Sequence, residues 1–144
     1  MIEYHSNERV NDLYFGDSPE KAIEVFGEPK RKIKDREGNL VFMYDDYTIS
    51  FDKNNKFFYF ALHPGVDATI NGTKVGWNID KIKPIIQMDR NPVEDVGFII
   101  LRDLGVAFDN FYTPDDEESD KVIVFFRPGE FKQNKTTEKP IKLT

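Results

Sequence analysis

Cysteine is absent from the 144 residues of this chain. Disulfides, zinc–thiolate sites and a cysteine nucleophile are thereby excluded, and the redox compartment is left unmarked. Histidine is nearly absent: His5 and His63 are the only two. A His-rich metal site or catalytic centre is not expected, and no cofactor is. No run approaches the ~18 apolar residues of a membrane-spanning helix, so no membrane role is expected. The opening Met1–Glu8 lacks a basic stretch followed by an apolar one, so no signal peptide is read, and a cytoplasmic location is the expectation. Positive charge is in deficit, with 20 Lys and Arg against 26 Asp and Glu and a formal net charge of −6. Nucleic-acid scaffolds need clustered positive charge to displace counterions, so a nucleic-acid partner is not expected. The same balance is compatible with a basic protein partner.

What is abundant is aromatic. Thirteen Phe, six Tyr and one Trp make up 14% of the chain, and apolar residues reach 39%. That is enough for a packed core, and the length fits one domain or two small halves sharing a core. Two stretches match in class. Residues 41–52 read Val-Phe-Met-Tyr-Asp-Asp-Tyr-Thr-Ile-Ser-Phe-Asp, and residues 98–109 read Phe-Ile-Ile-Leu-Arg-Asp-Leu-Gly-Val-Ala-Phe-Asp. Asp46, Phe51 and Asp52 recur as Asp103, Phe108 and Asp109. Each stretch reads as a strand, an Asp-containing turn, and a second strand alternating with period two.

The segments upstream correspond as well. Ser18 and Pro19 have the chemistry of an N-cap and first helical residue, Ala22, Val25 and Phe26 form an apolar stripe, and Gly27 ends the helix. Asn78 caps the second helix, with Ile79, Ile82 and Ile86 as its stripe. Pro84 conflicts with a regular helix there, which should be short, kinked, or begin near Pro84. Strands are expected at Arg31–Lys34, Phe57–Leu62 and Lys121–Phe126, with a short one within Asp67–Asn71. The expected fold is α+β: two tandem helix-plus-antiparallel-sheet halves, about 10–64 and 68–131, in a single domain over 1–131. They would form one continuous sheet of about six to eight strands with the helices on one face. Residues 132–144 show little periodicity and are expected to be a poorly ordered tail.

Phe57–Leu62 and Val122–Phe126 are apolar on both faces, whereas a half-buried sheet should alternate. In strict alternation Phe57, Tyr59 and Ala61 oppose Phe58, Phe60 and Leu62. The second face needs a cover: a loop, the tail, a second copy in a homodimer, or a protein partner. The connection from Pro114 to Asp120 carries five carboxylates and no base. It reads as a solvated loop or as a docking loop for a basic partner; it lacks the spaced ligand ladder of a calcium loop. Trp77 reads as a packing anchor at the junction of the halves or as a binding hot spot. The candidate partner-binding set is Asp115, Asp116, Glu117, Glu118 and Asp120 for steering, with Phe58, Phe60, Tyr112 and Trp77 as anchors. Asp45–Asp46 and His63 lie at strand reversals and read as turn residues. No catalytic residue and no metal ligand is assigned.

The stretch from Leu13 to Pro29, with Phe15-Gly16-Asp17-Ser18-Pro19 and Phe26-Gly27-Glu28-Pro29, resembles the opening of small bacterial α+β domains. These include repeats similar to the β-lactamase inhibitory protein and the outer-membrane assembly lipoproteins. From about Val10 to Phe131 the chain is similar to cytosolic immunity proteins paired with secreted bacterial toxins. The further motifs are Ala68-Thr69-Ile70-Asn71-Gly72, Asp103-Leu104-Gly105-Val106 and Phe126-Arg127-Pro128-Gly129-Glu130-Phe131. Asp17 stands where such openings carry Met, and the lipoprotein cysteine is missing, which speaks against an envelope role. The resemblance implies a binding protein rather than an enzyme, one that neutralises a cognate toxin domain, presumed basic from the acidic loop, by covering its active site. The alternative is a small enzyme or ligand-binding module with a pocket between the halves.

Overall fold

The structure is a computed structural model and describes residues 1–112, 120–131 and 136–141. Ser18 starts helix α1 (Pro19–Phe26): its Oγ accepts from the Lys21 amide at 3.2 Å, and Pro19 fills the first position, where no amide is needed. Asn78 does the same for α2 (Ile79–Ile86), accepting from the Lys81 amide at 2.9 Å. Pro84 lies inside α2, and the helix is short, at 8 residues. Neither helix, nor any other among the described residues, is long and apolar enough to cross a membrane.

The remaining elements are strands. After α1 come β4 (Arg31–Lys34), β5 (Leu40–Met43), β6 (Tyr47–Phe51) and β7 (Phe57–Leu62); after α2 come β10 (Val93–Asp95), β11 (Phe98–Leu101), β12 (Val106–Asp109) and β13 (Val122–Phe126). The same order, one helix and four antiparallel strands, thus occurs twice. The last strands of the two sets pair antiparallel at the centre, with Leu62 opposite Ile123 and Phe60 opposite Phe125. A further strand, β14 (Lys139–Pro140), pairs with β10, so the sheet has nine strands in the order β14-β10-β11-β12-β13-β7-β6-β5-β4. The segment expected as a poorly ordered tail therefore supplies an edge strand, and Glu138 beside it pairs with Arg102.

The single continuous sheet expected from the sequence is corrected. A second, five-stranded sheet runs β3-β2-β1-β8-β9, built from β1 (Ile2–His5), β2 (Arg9–Val10), β3 (Leu13–Tyr14), β8 (Ala68–Ile70) and β9 (Thr73–Lys74). The chain between the halves does form a strand, but β8 joins β1 in parallel, Tyr4 opposite Ile70, instead of extending the large sheet. Burial explains the choice. Ile2, Tyr4, Val10, Leu13, Ala68 and Ile70 give the small sheet one apolar face, and it packs with Ala22, Ile82 and Ile86 of the helices against Ile49, Phe60, Phe108 and Phe125 in a single core.

The two matching hairpins close differently. In β5–β6, Met43 faces Thr48 and the Tyr44 amide bonds the Tyr47 carbonyl, so the reversal is made by Asp45 and Asp46. In β11–β12, Leu101 faces Val106, and the loop takes in Arg102, Asp103, Leu104 and Gly105. An even-numbered slip leaves each side chain on its original face, so the apolar pattern survives it.

Tyr4 joins the two sheets. It is fully buried, and its ring stacks on Phe125 at 4.3 Å with the planes 8° apart. Its hydroxyl accepts from the Asn7 amide at 3.0 Å and lies 2.9 Å from the Leu104 carbonyl and 3.1 Å from that of Gly105, one of which takes its proton. Burial holds this phenol far above the usual tyrosine range. Gly105 has φ +72°, and a Cβ there would stand 2.5 Å from the Tyr4 oxygen, so the D-L-G segment needs its glycine for both reasons. Tyr4→Phe strands a buried donor and acceptor and should cost about 1–3 kcal/mol. Urea unfolding of the two proteins measures it, and equal midpoints and slopes would show that the hydroxyl does not hold the sheets.

Candidate functional site

The outer face of the large sheet, away from the helices and the small sheet, is where the apolar strands were expected to need a cover. The ladder registers define its rows. One row crosses the sheet as Val93, Ile100, Ala107, Val124, Ala61, Thr48, Met43 and Arg31. A second runs Phe126, Tyr59, Ser50, Val41 and Ile33. A third, at one end of the strands, is Asp95, Phe98, Asp109 and Val122. Over β10–β13 this face forms a second small core, capped by Phe131. The Phe131 ring centre lies 4.6 Å from Phe126, 6.0 Å from Phe98 and 6.3 Å from Tyr59. Toward β4–β7 the side chains Ile33, Val41, Met43, Phe58 and Ala61 are only half-buried.

A β-bulge decides which aromatics face outward. Ser50 opposes Tyr59 while Phe51 opposes Phe57, so Phe58 is the extra residue of β7. Phe57, Phe60 and Leu62 point into the core, and Phe58, Tyr59 and Ala61 lie half-buried on the other side. The alternation expected from the sequence is corrected accordingly. Phe60 in particular, expected as an anchor beside Phe58, is fully buried and cannot touch a partner of the folded protein. Phe58 lies under Arg127, whose guanidinium carbon is 5.7 Å from the ring centre and which also binds Asp52 and Glu130.

The other anchors lie elsewhere. Trp77 is half-buried, stacks on Phe111 at 5.8 Å and donates Nε1–H to the Val66 carbonyl at 3.1 Å, all on the inner side of the sheet. Tyr112 is 53% exposed and donates to Glu94 Oε2 at 2.7 Å. Asp120 is exposed, and its backbone carbonyl accepts from Asn110. Asp115, Asp116, Glu117 and Glu118 lie outside the described residues. The structure thus brings no single cluster out of the expected set: Phe58 and Tyr112 are at different ends of the sheet, and Trp77 is on its other side.

Tyr112 has neighbours that the sequence reading passed over. With Glu94, Val96, Gly97, Thr136, Thr137 and Lys139 it lines an open recess of about 610 Å³ at the tip of the β10–β11 hairpin. Val96 and Gly97 form the two-residue turn, with φ +44° and +87°. Such turns favour Asn-Gly, and a β-branched residue in the left-handed region is strained. Val96 is also 85% exposed. Burial pushes the Tyr112 hydroxyl up to about 12, helped by its bond to Glu94. On the outer face, burial raises the Asp109 carboxyl, only partly offset by the Asn110 amide, while burial and then the charge of Asp109 push Tyr59 up to about 12. Asp95 Oδ1 is out of contact with solvent and has no hydrogen-bond partner. The signal available in the sequence was the Val-Gly pair where hairpin chemistry prefers Asn-Gly.

Among the described residues nothing comparable converges elsewhere. Asp45 pairs with Lys30 at 2.6 Å and its carbonyl oxygen lies 2.8 Å from His63 Nδ1, as turn residues do. A recess of about 580 Å³ near Phe26, Asp46, Tyr47 and Asp67 lies between the first half and the small sheet, not at the β7–β13 seam. Among the described residues no three His, Asp or Glu side chains come together to hold a metal ion. No protein-family model matches the chain, and no curated protein and no solved structure is significantly similar to it.

Two outcomes are expected of the free protein. Val96→Asn relieves the turn and should raise stability by about 1 kcal/mol in urea unfolding; an unchanged or lowered value would mean that the turn carries no strain. Asp109→Asn should raise the melting temperature at neutral pH. A carboxyl whose folded pKa is raised favours folding when protonated and loses that contribution as pH rises through the folded value. The gap between variant and wild type should therefore close as pH falls toward the ordinary carboxylate range. A gap that widens in acid would mean that folding lowers the Asp109 carboxyl instead of raising it.

Proposed function

We propose that the chain is a binding protein, of the immunity type, that neutralises a toxin domain by covering its active site, acting in the cytoplasm. The observation that carries the reading is the outer sheet face. It presents half-buried aromatic and aliphatic side chains from β4–β7 and ends at an exposed, strained valine in the β10–β11 turn. Exposed apolar groups held on a rigid sheet are characteristic of recognition surfaces, and strain tends to be retained at functional positions. The resemblance of the 13–29 segment and of the later Gly-containing motifs to immunity proteins supplies the kind of partner. Catalysis finds little support: the Asp45 carboxylate is paired with Lys30 and the His63 ring is held against the Asp45 carbonyl.

The test is co-expression with the product of the gene adjacent to its own. Rescue of growth together with a copurifying complex is the expected result. Neither rescue nor complex would overturn the reading.

A further inference from the structure

The two edges of the large sheet are finished differently. At one edge β14 offers little to a further strand. The Ile141 amide bonds the Pro92 carbonyl, so by alternation Pro140 turns its main chain away from β10, and a proline has no N–H to offer there. At the other edge β4 is bonded to β5 alone. The Asp35 amide bonds the Asn39 carbonyl, and Ile33 faces Val41. Arg31 and Ile33 therefore turn their main-chain groups toward β5, and Lys32 and Lys34 turn theirs outward. No loop or side chain among the described residues meets those outward amides and carbonyls. The edge is also basic, in an acidic chain. Lys30, Arg31, Lys32, Lys34 and Arg36 stand against Asp35, whose carboxylate is taken up by the Glu37 and Asn39 amides. Lys30 pairs with Asp45 and Lys32 with Glu28 at the surface. Arg31, Lys34 and Arg36 are exposed and form no ion pair among the described residues.

We propose that β4 is the docking edge for an extended acidic segment of a protein partner, which adds to the large sheet as one further strand. The proposal rests on the binding function above and says where the partner docks. The outward amides and carbonyls of Lys32 and Lys34 supply the ladder, and main-chain bonding is what holds a strand to a sheet edge. Charge selects the occupant. β4 laid beside β4 of a second copy would set lysine and arginine against lysine and arginine, so the edge rejects its own kind. Acidic side chains in the same place pair with Lys32 and Lys34 on the inner face. On the outer face the added strand lies next to Arg31 and Ile33 and extends the half-buried apolar field of Ile33, Val41 and Met43. The segment that fits therefore alternates acidic and apolar residues. Protection from self-pairing alone needs no open ladder, since the proline at the opposite edge achieves it without one. The sign is opposite to that of the basic partner read from the Pro114 to Asp120 connection, and it concerns only the segment lying along β4.

The probe is the peptide acetyl-Ser-Glu-Val-Glu-Val-Glu-Ser-amide, titrated into the isotope-labelled full chain in physiological salt, which screens net charge, and followed by amide NMR shifts. Shifts should concentrate at residues 30–36, and the Lys32 and Lys34 amides should gain protection from hydrogen exchange. The same peptide N-methylated at its glutamates keeps its charge, loses the donors that would face β4, and should bind about tenfold more weakly. Lys32→Glu with Lys34→Glu should weaken the unmodified peptide by about tenfold, while Lys53→Glu with Lys74→Glu, two exposed lysines elsewhere, should leave it unchanged. Equal binding of the methylated peptide, equal weakening by both double variants, or no binding at all would overturn the docking edge. The peptide comparison needs only the wild-type protein, so it decides the matter even if a variant fails to fold. The co-expression test separates the two readings. Growth rescue that survives K32E/K34E overturns the docking edge and leaves the immunity function standing. Localised, methylation-sensitive peptide binding without rescue leaves the docking edge standing and overturns that function.

Discussion

The arrangement of the molecule depends on one buried hydroxyl. Tyr4 Oη lies where the first strand of the small sheet meets the β11–β12 loop of the large one, and it ties the Asn7 amide to the carbonyls of that loop. Sheets stacked only by apolar contact can slide, because burial is non-directional. A hydrogen-bonded phenol cannot slide without leaving polar groups dry. The same loop is pinned from its other side. Asp89 accepts from the Leu104 amide at 3.2 Å, Asn7 Nδ2 donates to the Asp103 carbonyl at 2.8 Å, and Asp103 pairs with Arg90. The four-residue reversal of the second hairpin, longer than its counterpart, is thus the part that receives the small sheet.

With the inner side closed in this way, the outer side is left with a different balance. Phe131 covers the face over β10–β13, and the bulge at Phe58 turns two consecutive aromatics toward β4–β7. The helices and the small sheet close over the inside, whereas the outside keeps half-buried apolar rows ending in unpaired acid. Such asymmetry is what a rigid scaffold with a recognition face requires: one side supplies stability and the other spends some of it on strain and desolvation.

Much of the local structure was legible in the sequence. Ser18-Pro19 and Asn78 announce their helices, and the matching 41–52 and 98–109 stretches announce two hairpins, because caps and alternation act over a few residues. The small sheet was not legible, since its strands are two to four residues long and their pairing joins the N-terminus to the linker between halves. The facing of β7 was misread for a different reason. Phe-Phe-Tyr-Phe-Ala-Leu offers no polar residue to mark the face change, so the bulge is visible only once the strand has a partner. At the candidate site, Tyr112 was singled out, but Asp95, Val96 and Phe98 were not: what sets them apart is backbone angle and cross-strand adjacency, which a linear pattern does not display.

The pairing of β7 with β13 carries a consequence for how the chain reaches this state. The two strands lie about sixty residues apart in sequence, and contacts so distant are reached late, because the entropy of loop closure is lost before they form. Until β13 arrives, β7 is an outer strand, six uncharged apolar and aromatic residues with one ladder unfilled. Segments of that composition are prone to pair with copies of themselves. The finished molecule hides the hazard at its centre; the vulnerable interval is synthesis, when the first half has left the ribosome and its partner strand is still unmade.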